Sequence, residues 1–209
     1  MGRMFQGTEA IVLRILREKQ PISRAQIAQL SRLSKPAVSE IVGRLIAMGA
    51  IVESETGCST PRGGKKPRLL SFCPNFKTII AVDVGGTNIR TVLSNLDGGF
   101  LKRIEGSTRA VRTKAALLQL ITDSIDALGD LTRERVVGIG IGIPRTVDPG
   151  NGVIQYIPAF NLRGVEIAEE LAETYGHPVF LANDVTLNAL GELWKGEARG
   201  SKSLLLVSL

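Results

Sequence analysis

Near its start the chain carries three short stretches in which apolar residues recur every three or four positions, the spacing of a helix with one buried face. Thr8, Ser23 and Ser34 are placed to cap these helices, and Pro21 stops the first of them. A turn at residues 31–34 separates the second helix from the third. The predicted apolar stripe of the third helix consists of Val38, Ile41, Val42, Leu45 and Ile46. Two short helices joined by a tight turn are typical of a helix-turn-helix, whose second member enters a major groove.

Two strands are predicted after the third helix, at residues 51–53 and 68–72, with a glycine-rich basic tip between them. Such a hairpin predicts the wing of a winged helix, whose cations neutralise phosphates while the third helix contacts bases. The predicted phosphate contacts are Arg62, Lys65 and Lys66. The predicted DNA-facing residues of the third helix are Ser34, Lys35, Pro36, Ser39 and Arg44. The alternative is a small helical bundle followed by a basic linker.

The pattern changes after residue 78 to alternating strands and helices, which predicts an α/β fold. The predicted strands lie at 79–82, 89–93, 100–104, 136–143 and 179–181, and the last residues, 204–209, resemble one more. The predicted helices lie at 114–128, 165–175 and 184–194. The first three strands are expected to form successive hairpins.

The loop between the first two of these strands has the sequence DVGGTN. It lacks the GK[ST] ending of a P-loop and the GxGxxG of a dinucleotide-binding turn. In a hairpin, Gly85 and Gly86 can bring backbone N–H groups close to phosphate oxygens, with Thr87 adding a hydroxyl and Asp83 able to hold hydrated magnesium. The alternative is an ordinary tight turn.

Polar residues also stand near the carboxyl ends of later strands, where α/β sheets tend to bind ligands. Asp184 is placed to accept a proton from a sugar hydroxyl during phosphoryl transfer, and Asn161 and Asn183 to bind other hydroxyls. The alternative role for Asp184 is to cap the last predicted helix.

Charge divides the 209 residues into two parts, which predicts domains at 1–77 and 78–209. Residues 1–77 hold 13 Lys and Arg against 5 Asp and Glu, a net charge of +8, whereas 78–209 hold 13 against 15, a net charge of −2. A basic module joined to a mildly acidic one indicates a polyanion partner for the first, with nucleic acid favoured over a merely solvated basic surface.

Other classes are disfavoured by what the sequence contains. No apolar run approaches the roughly 20 residues of a membrane span, and no secretory signal is recognised, so a cytoplasmic protein without a membrane partner is expected. Cys58 and Cys73 form no CxxC pair or Cys/His cluster, which predicts free thiols and no metal site. His177 is interpreted as a loop residue.

The ordered motifs GGKKP, AVDVGGTNIR, GIGIGIP, NLRG and ANDVTLNALGE resemble the ROK family of bacterial sugar repressors and sugar kinases. The resemblance covers essentially the whole chain, and the N-terminal winged helix is typical of the repressor branch, which includes regulators of xylose and N-acetylglucosamine genes. It implies a winged helix-turn-helix followed by the first lobe of an actin/hexokinase-like, ribonuclease H-like α/β domain. It further implies a repressor of carbohydrate-utilisation genes that needs no cofactor to bind DNA.

The resemblance also assigns roles by motif. In the family's kinases the DxGGT loop binds ATP phosphates and the aspartate of the ND pair is the catalytic base. Those roles fall on Asp83, Gly85, Gly86, Thr87 and Asp184, with ATP and Mg required only if the chain is a kinase. One departure is Arg145-Thr146, where the kinases carry Gly-Pro.

The family's second lobe, with its ExGH motif, zinc motif and adenosine site, has no counterpart among the 209 residues, so no kinase turnover is expected. The expected partners are an operator duplex and a sugar, and the full-length protein is expected to form a homodimer or higher homo-oligomer. Sugar response and dimerisation are expected to weaken without that lobe. The alternatives are a ROK sugar kinase with a DNA-binding extension and a nonfunctional fragment.

Overall fold

A computed structural model describes residues 7–56, 67–129, 135–144, 147–148 and 153–207. The chain divides into two compact units, Met1–Phe76 and Lys77–Leu209, each with its own hydrophobic core. Within the described ranges no helix is long and apolar enough to cross a membrane.

The first unit is a winged helix-turn-helix. Its elements are helices α1 (Gly7–Lys19), α2 (Arg24–Ser31) and α3 (Lys35–Ala47) and strands β1 (Ile22–Ser23), β2 (Ile51–Thr56) and β3 (Arg68–Phe72). The strands form an antiparallel sheet in the order β1-β3-β2. The predicted helix-turn-helix and hairpin are therefore confirmed. The predicted cap at Thr8 is wrong, because α1 already begins at Gly7 and places Thr8 inside the helix.

Local capping fixes where α2 and α3 begin. The side-chain oxygen of Ser23 accepts from the N–H of Gln26, whose own side chain accepts from the Ser23 N–H, a complete capping box. Ser34 Oγ accepts from the N–H of Ala37, and Pro36 occupies the first turn of α3. Between the two helices Arg32 adopts a left-handed φ of 58°. The predicted apolar stripe of α3 is buried at Val38, Ile41, Val42 and Leu45. Its fifth member, Ile46, is partly buried.

The second unit is built on a five-stranded mixed sheet. Its strands are β4 (Thr78–Val84), β5 (Asn88–Asn95), β6 (Phe100–Ser107), β7 (Val136–Ile143) and β11 (Val179–Asn183). Strands β8 to β10 lie between β7 and β11 in the chain and form a separate, smaller sheet. The order is β11-β7-β4-β5-β6, with the hairpins β4–β5 and β5–β6 antiparallel and the pairs β4–β7 and β7–β11 parallel. The helices are α4 (Lys114–Asp126), α5 (Ala168–Tyr175) and α6 (Asp184–Lys195). The predicted α/β class and the successive hairpins are confirmed.

Alternation along β7 explains its glycine-laced sequence. Ile139, Ile141 and Ile143 are fully buried in the core that also contains the apolar face of α4. The intervening glycines lie on the other face of the sheet. A Cβ at Gly142 would lie 3.1 Å from Leu187 Cδ1 of α6, so the missing side chain lets that helix approach the sheet.

Helix α6 runs from the β11 edge to the opposite side of the sheet. At its first residue, the Cα of Asp184 lies 3.9 Å from the position of a Cβ at Gly142. At its other end, the Trp194 ring lies 3.2 Å from the position of a Cβ at Gly98, in the turn between β5 and β6. Lys195 Nζ also contacts Asp97 Oδ1 of that turn at 2.9 Å.

Three parts of the second unit differ from the prediction. A small antiparallel sheet of β8 (Val147–Asp148), β9 (Val153–Ile157) and β10 (Leu162–Glu166) was not expected. Because β10 pairs with β9, the predicted helix start at Val165 is wrong and α5 begins at Ala168. The predicted strand at 204–209 is also not found, since residues 203–207 have no regular structure in the described part of the chain.

Candidate functional site

The first candidate site is the exposed side of α3. Lys35, Pro36 and Ser39 are exposed there, as the apolar stripe on the opposite side requires. Ser34 is exposed as well, but its Oγ already accepts the capping hydrogen bond from the Ala37 N–H at 3.3 Å. The residues predicted to face DNA at the start of α3 therefore share one accessible surface, with Ser34 also holding the helix start.

Arg44 is predicted to face the DNA groove, but in the structure two carboxylates bind its guanidinium. Its Nη1 binds Glu40 Oε1 at 2.7 Å, one turn earlier on α3. Its Nη2 and Nε bind Glu9 Oε1 of α1 at 2.9 and 3.1 Å. Two carboxylates thus hold one guanidinium, and the three side chains together carry a net charge of −1. Sequence analysis identified neither acidic partner. Glu9 lies 35 residues from Arg44, whereas the i,i+4 spacing of Glu40 and Arg44 was a local signal that could have been used.

A second charged cluster ties the base of the wing hairpin to α2. Glu53 on β2 binds Arg68 Nη1 of β3 at 2.5 Å and Arg24 Nη2 of α2 at 2.8 Å. The hydrogen bond from Arg68, followed by that from Arg24, holds the pKa of the Glu53 carboxyl below its ordinary value. Sequence analysis missed this cluster, although Glu53 and Arg68 carry opposite charges on paired strands of a predicted hairpin.

The predicted phosphate contacts Arg62, Lys65 and Lys66 lie outside the described residues, as do Cys58, Arg145 and Thr146.

The second candidate site begins at the glycine turn between β4 and β5. The Gly85 N–H donates to the Asn88 carbonyl at 2.8 Å, so this amide closes the turn and is not presented to a ligand. A Cβ at Gly85 would lie 3.0 Å from the same carbonyl oxygen, so a side chain here would crowd the turn. Gly86 and Thr87 are more accessible at the tip. Of the predicted phosphate-binding residues, Gly85 therefore shapes the turn, and Gly86 and Thr87 face outward.

Thr108 anchors this turn from the end of β6. Its buried hydroxyl donates to the Gly85 carbonyl at 2.9 Å, and its N–H donates to the Thr87 carbonyl at 3.0 Å. Sequence analysis missed Thr108, because its hydrogen-bond partners lie 21 and 23 residues earlier and no local motif marks it.

Asp83 precedes the turn and lies beside a cation on the neighbouring strand. Asp83 pairs in register with Arg90 of β5, and Asp83 Oδ2 lies 3.6 Å from Arg90 Nη1. Arg90 in turn lies 3.9 Å from Glu105 of β6, which also pairs with Arg103. The carboxylate predicted to hold hydrated magnesium thus already has a guanidinium partner.

Asp184 lies at the carboxyl ends of the parallel strands, with strand β7 between it and Asp83. Asp83 and Ala182 both pair in register with Gly142, so the ends of β4, β7 and β11 line up. Asp184 follows directly as the first residue of α6, and its Oδ1 accepts from the Val185 N–H at 2.9 Å. The space above Gly142 is filled by Leu187 of α6, so a ligand could reach the two aspartates only beyond the strand ends.

The two asparagines are held differently. Asn183 caps α6, its Oδ1 accepting from the Thr186 N–H at 3.0 Å while its Nδ2 donates to Asp184 Oδ1 at 3.1 Å. The helix cap considered for Asp184 is therefore supplied by Asn183. Asn161 is exposed with a left-handed φ of 53°, just after a 3-10 turn that contains Ala159. A Cβ added at Gly86 would lie 3.4 Å from the Cβ of Ala159, so this turn borders the glycine loop.

Within the described ranges, no group of three or more His, Cys, Asp or Glu side chains is arranged to hold a metal ion.

Comparison with known proteins finds a family for each unit. The ROK family profile matches residues 79–209, and a winged helix-turn-helix DNA-binding profile matches residues 11–52.

Individual relatives include both regulators and an enzyme. The chain is 30% identical to the xylose repressor of Caldicellulosiruptor bescii over 98% of its own length and 51% of the relative. It is 30% identical to the N-acetylglucosamine repressor of Escherichia coli O157:H7, over 97% of this chain and 50% of the relative. It is 34% identical to the glucokinase of Thermotoga maritima, over 65% of this chain and 42% of the relative. The chain therefore spans about half the length of the curated repressors it matches.

Among solved structures, the chain resembles a ROK family transcriptional regulator described as a homologue of the E. coli MLC protein. The TM-score is 0.71 at 23% identity, covering 88% of this chain and 47% of that one. At this identity the likeness shows the fold, which agrees with the actin/hexokinase-like topology predicted for the second unit.

Proposed function

Because the chain belongs to the ROK family, we propose that it acts as a DNA-binding transcriptional repressor of carbohydrate-utilisation genes that responds to a sugar. The observation that carries this proposal is the presence of a capped helix-turn-helix in the same chain as a ROK unit. The repressor relatives match 97–98% of the chain, so their likeness includes both units. The glucokinase match covers 65%.

In this proposal the first unit binds a double-stranded operator. The start of α3 enters the major groove with Lys35, Pro36 and Ser39, while Arg62, Lys65 and Lys66 contact phosphates. A homodimer reads two half-sites, because one small module gives limited specificity. A bacterial regulator that binds genomic DNA acts in the cytoplasm, so the proposed location is the cytoplasm.

The second unit is proposed to hold the sugar effector near the carboxyl ends of its parallel strands. Asp184 lies there with one carboxylate oxygen engaged by the Val185 N–H, and Asn161 lies on the turn beside the glycine loop. Asn183 contributes by orienting Asp184 through its side-chain amide. A sugar regulates DNA binding only if it binds one conformation of the protein more tightly than another.

The second candidate function is that of a sugar kinase, which the DxGGT turn and the glucokinase relative favour. A kinase would need Mg-ATP at the glycine turn, with Asp83 facing the metal. The Arg90 guanidinium lies 3.6 Å from the exposed Asp83 carboxylate, so a cation at Asp83 would share that carboxylate with Arg90. The repressor relatives match both units and the glucokinase does not, which favours the regulator over the enzyme.

The decisive experiment is selection of binding sites from a randomised duplex library, followed by affinity measurements at several salt concentrations. We expect one enriched sequence and a steep salt dependence, since each phosphate contact releases counterions. Lys65→Ala with Lys66→Ala is expected to reduce the salt slope by about one for each lysine. Lys202→Ala, an exposed lysine of the second unit, is the control and is expected to leave the slope unchanged. Equal affinity for enriched and random duplexes would contradict specific repression.

The kinase candidate is tested by coupling ADP formation to a fluorescent readout over a panel of sugars. Sugar-dependent ADP formation that disappears in Asp184→Asn would favour the enzyme. We expect the wild-type chain and Asp184→Asn to give the same background.

A further inference from the structure

The exposed stripe of α3 contains one long side chain at its centre. Pro36, Glu40, Gly43 and Ala47 follow one another at helical spacing on the accessible side. Glu40 has 72% of its side chain exposed, while a Cβ at Gly43 would meet nothing within 4 Å. The small neighbours allow the helix backbone to come close to a surface, and Glu40 then reaches farthest toward it.

Glu40 is also held in place. Arg44 Nη1 binds its Oε1 at 2.7 Å, and Arg44 is itself fixed by Glu9 of α1. The guanidinium neutralises part of the carboxylate charge and restricts its rotamers, so Glu40 has a defined direction before any ligand arrives.

From this geometry we infer that Glu40 is a specificity-determining residue that reads a cytosine in the major groove, with Arg44 and Glu9 as positioning residues. The inference rests on the proposed DNA binding and changes the role of Arg44 from base contact to support of Glu40.

The choice of cytosine follows from hydrogen-bonding capacity. A carboxylate has only acceptors, and it is repelled by phosphates unless a base donates to it. In the major groove, cytosine presents the N4 amino donor, whereas guanine presents acceptors and thymine an acceptor with a methyl group. Adenine presents a donor beside the N7 acceptor, which would face the second carboxylate oxygen unfavourably. Cytosine is therefore the best partner for Glu40.

The test is site selection from a randomised duplex library with the full chain, comparing wild type with Glu40→Gln. Glutamine pairs with the N6 and N7 atoms of adenine. We expect Glu40→Gln to change the preferred base at one position of the enriched sequence from cytosine toward adenine, with about a fivefold or larger loss of preference for cytosine. The other positions should keep their preferences.

Glu9→Gln tests the positioning role, because Glu9 acts on Glu40 only through Arg44. We expect weaker discrimination at the same base position and unchanged preferences elsewhere. Glu18→Gln, which makes the same charge change at an exposed position of α1, is the matched control and should alter no base preference.

The outcomes separate this inference from the function on which it rests. A wild-type chain that enriches no sequence would overturn both. A wild-type chain that enriches a sequence while Glu40→Gln enriches the same one, with the same discrimination as Glu18→Gln, would overturn the role of Glu40 and leave DNA binding intact. A change spread over all positions would also overturn it, since a base-reading residue acts at one position.

Discussion

The hydroxyl of Thr108 donates a hydrogen bond to the carbonyl oxygen of Gly85 at 2.9 Å, joining the end of strand β6 to the glycine turn. Thr108 is fully buried, and its hydrogen bond holds the backbone just before the accessible Gly86 and Thr87. The shape of this turn therefore depends on a residue outside the turn's own motif.

Replacing Thr108 by valine is expected to lower the free energy of unfolding of the second unit by about 1–3 kcal/mol, because the Gly85 carbonyl loses its buried donor. Urea unfolding followed by the fluorescence of Trp194, the one tryptophan of the chain, measures this change. Thr87→Val makes the same chemical change at the exposed tip and should cost less than about 0.5 kcal/mol. Equal effects of the two substitutions would show that Thr108 is not the anchor.

A methyl group at Gly142 is expected to push α6 away from the sheet. Its Cβ would lie 3.1 Å from Leu187 Cδ1, and overpacking of this kind costs about 1–3 kcal/mol. Gly140→Ala is the matched control, because a Cβ there meets nothing within 4 Å. Urea unfolding should show a loss of stability for Gly142→Ala and none for Gly140→Ala. The affinity for the proposed sugar effector near Asp184 should fall in the same variant.

The wing cluster predicts a measurable acid dependence. Because Arg68 and Arg24 lower the pKa of folded Glu53, the stability from these pairs is fully present above the pKa of the unfolded glutamate, about 4.3. It is lost as the pH falls through the lower folded value. NMR titration of the Glu53 carboxyl carbon should give a midpoint below about 4.3. Arg68→Gln should raise this midpoint more than Arg24→Gln, and the reverse order would contradict the assignment.

Removing the cap of α3 should loosen the helix that carries the proposed base contacts. Ser34→Ala is expected to lower stability by about 1 kcal/mol, because the Ala37 N–H loses its acceptor. Hydrogen–deuterium exchange of the first-turn amides of α3 measures the effect. Ser39→Ala, on the exposed face of the same helix, should leave that exchange unchanged. Faster exchange in both variants would indicate that the hydroxyl of Ser34 is not a specific cap.

The predictable parts of the fold are those specified by neighbouring residues. Ser23 and Ser34 cap helices through partners three residues away, and β3 and β7 follow from continuous apolar or alternating stretches. The sheet of β8–β10 was missed because its pairing crosses a stretch rich in proline and glycine, where turn residues dominate the pattern.

The chemistry of the sites was predictable only in part. The sequence motifs identified Asp83, Gly86, Thr87 and Asp184 as candidate site residues, and the register of the strands places the two aspartates on either side of Gly142. The partners of Arg44 and Asp83 required the fold. Glu9 meets Arg44 from another helix and Arg90 meets Asp83 from the next strand, and such pairings depend on packing and register.

Helix α6 connects two distant places of the second unit, with Asp184 at one end and Trp194 beside the β5–β6 turn at the other. At 1.5 Å per residue, the ten steps between them span about 15 Å. If the helix tilted as a rigid body by about 5° about its Asp184 end, the Trp194 indole would move by about 1 Å. A tilt of this size, caused by the proposed sugar at Asp184, would therefore move Trp194 relative to Gly98.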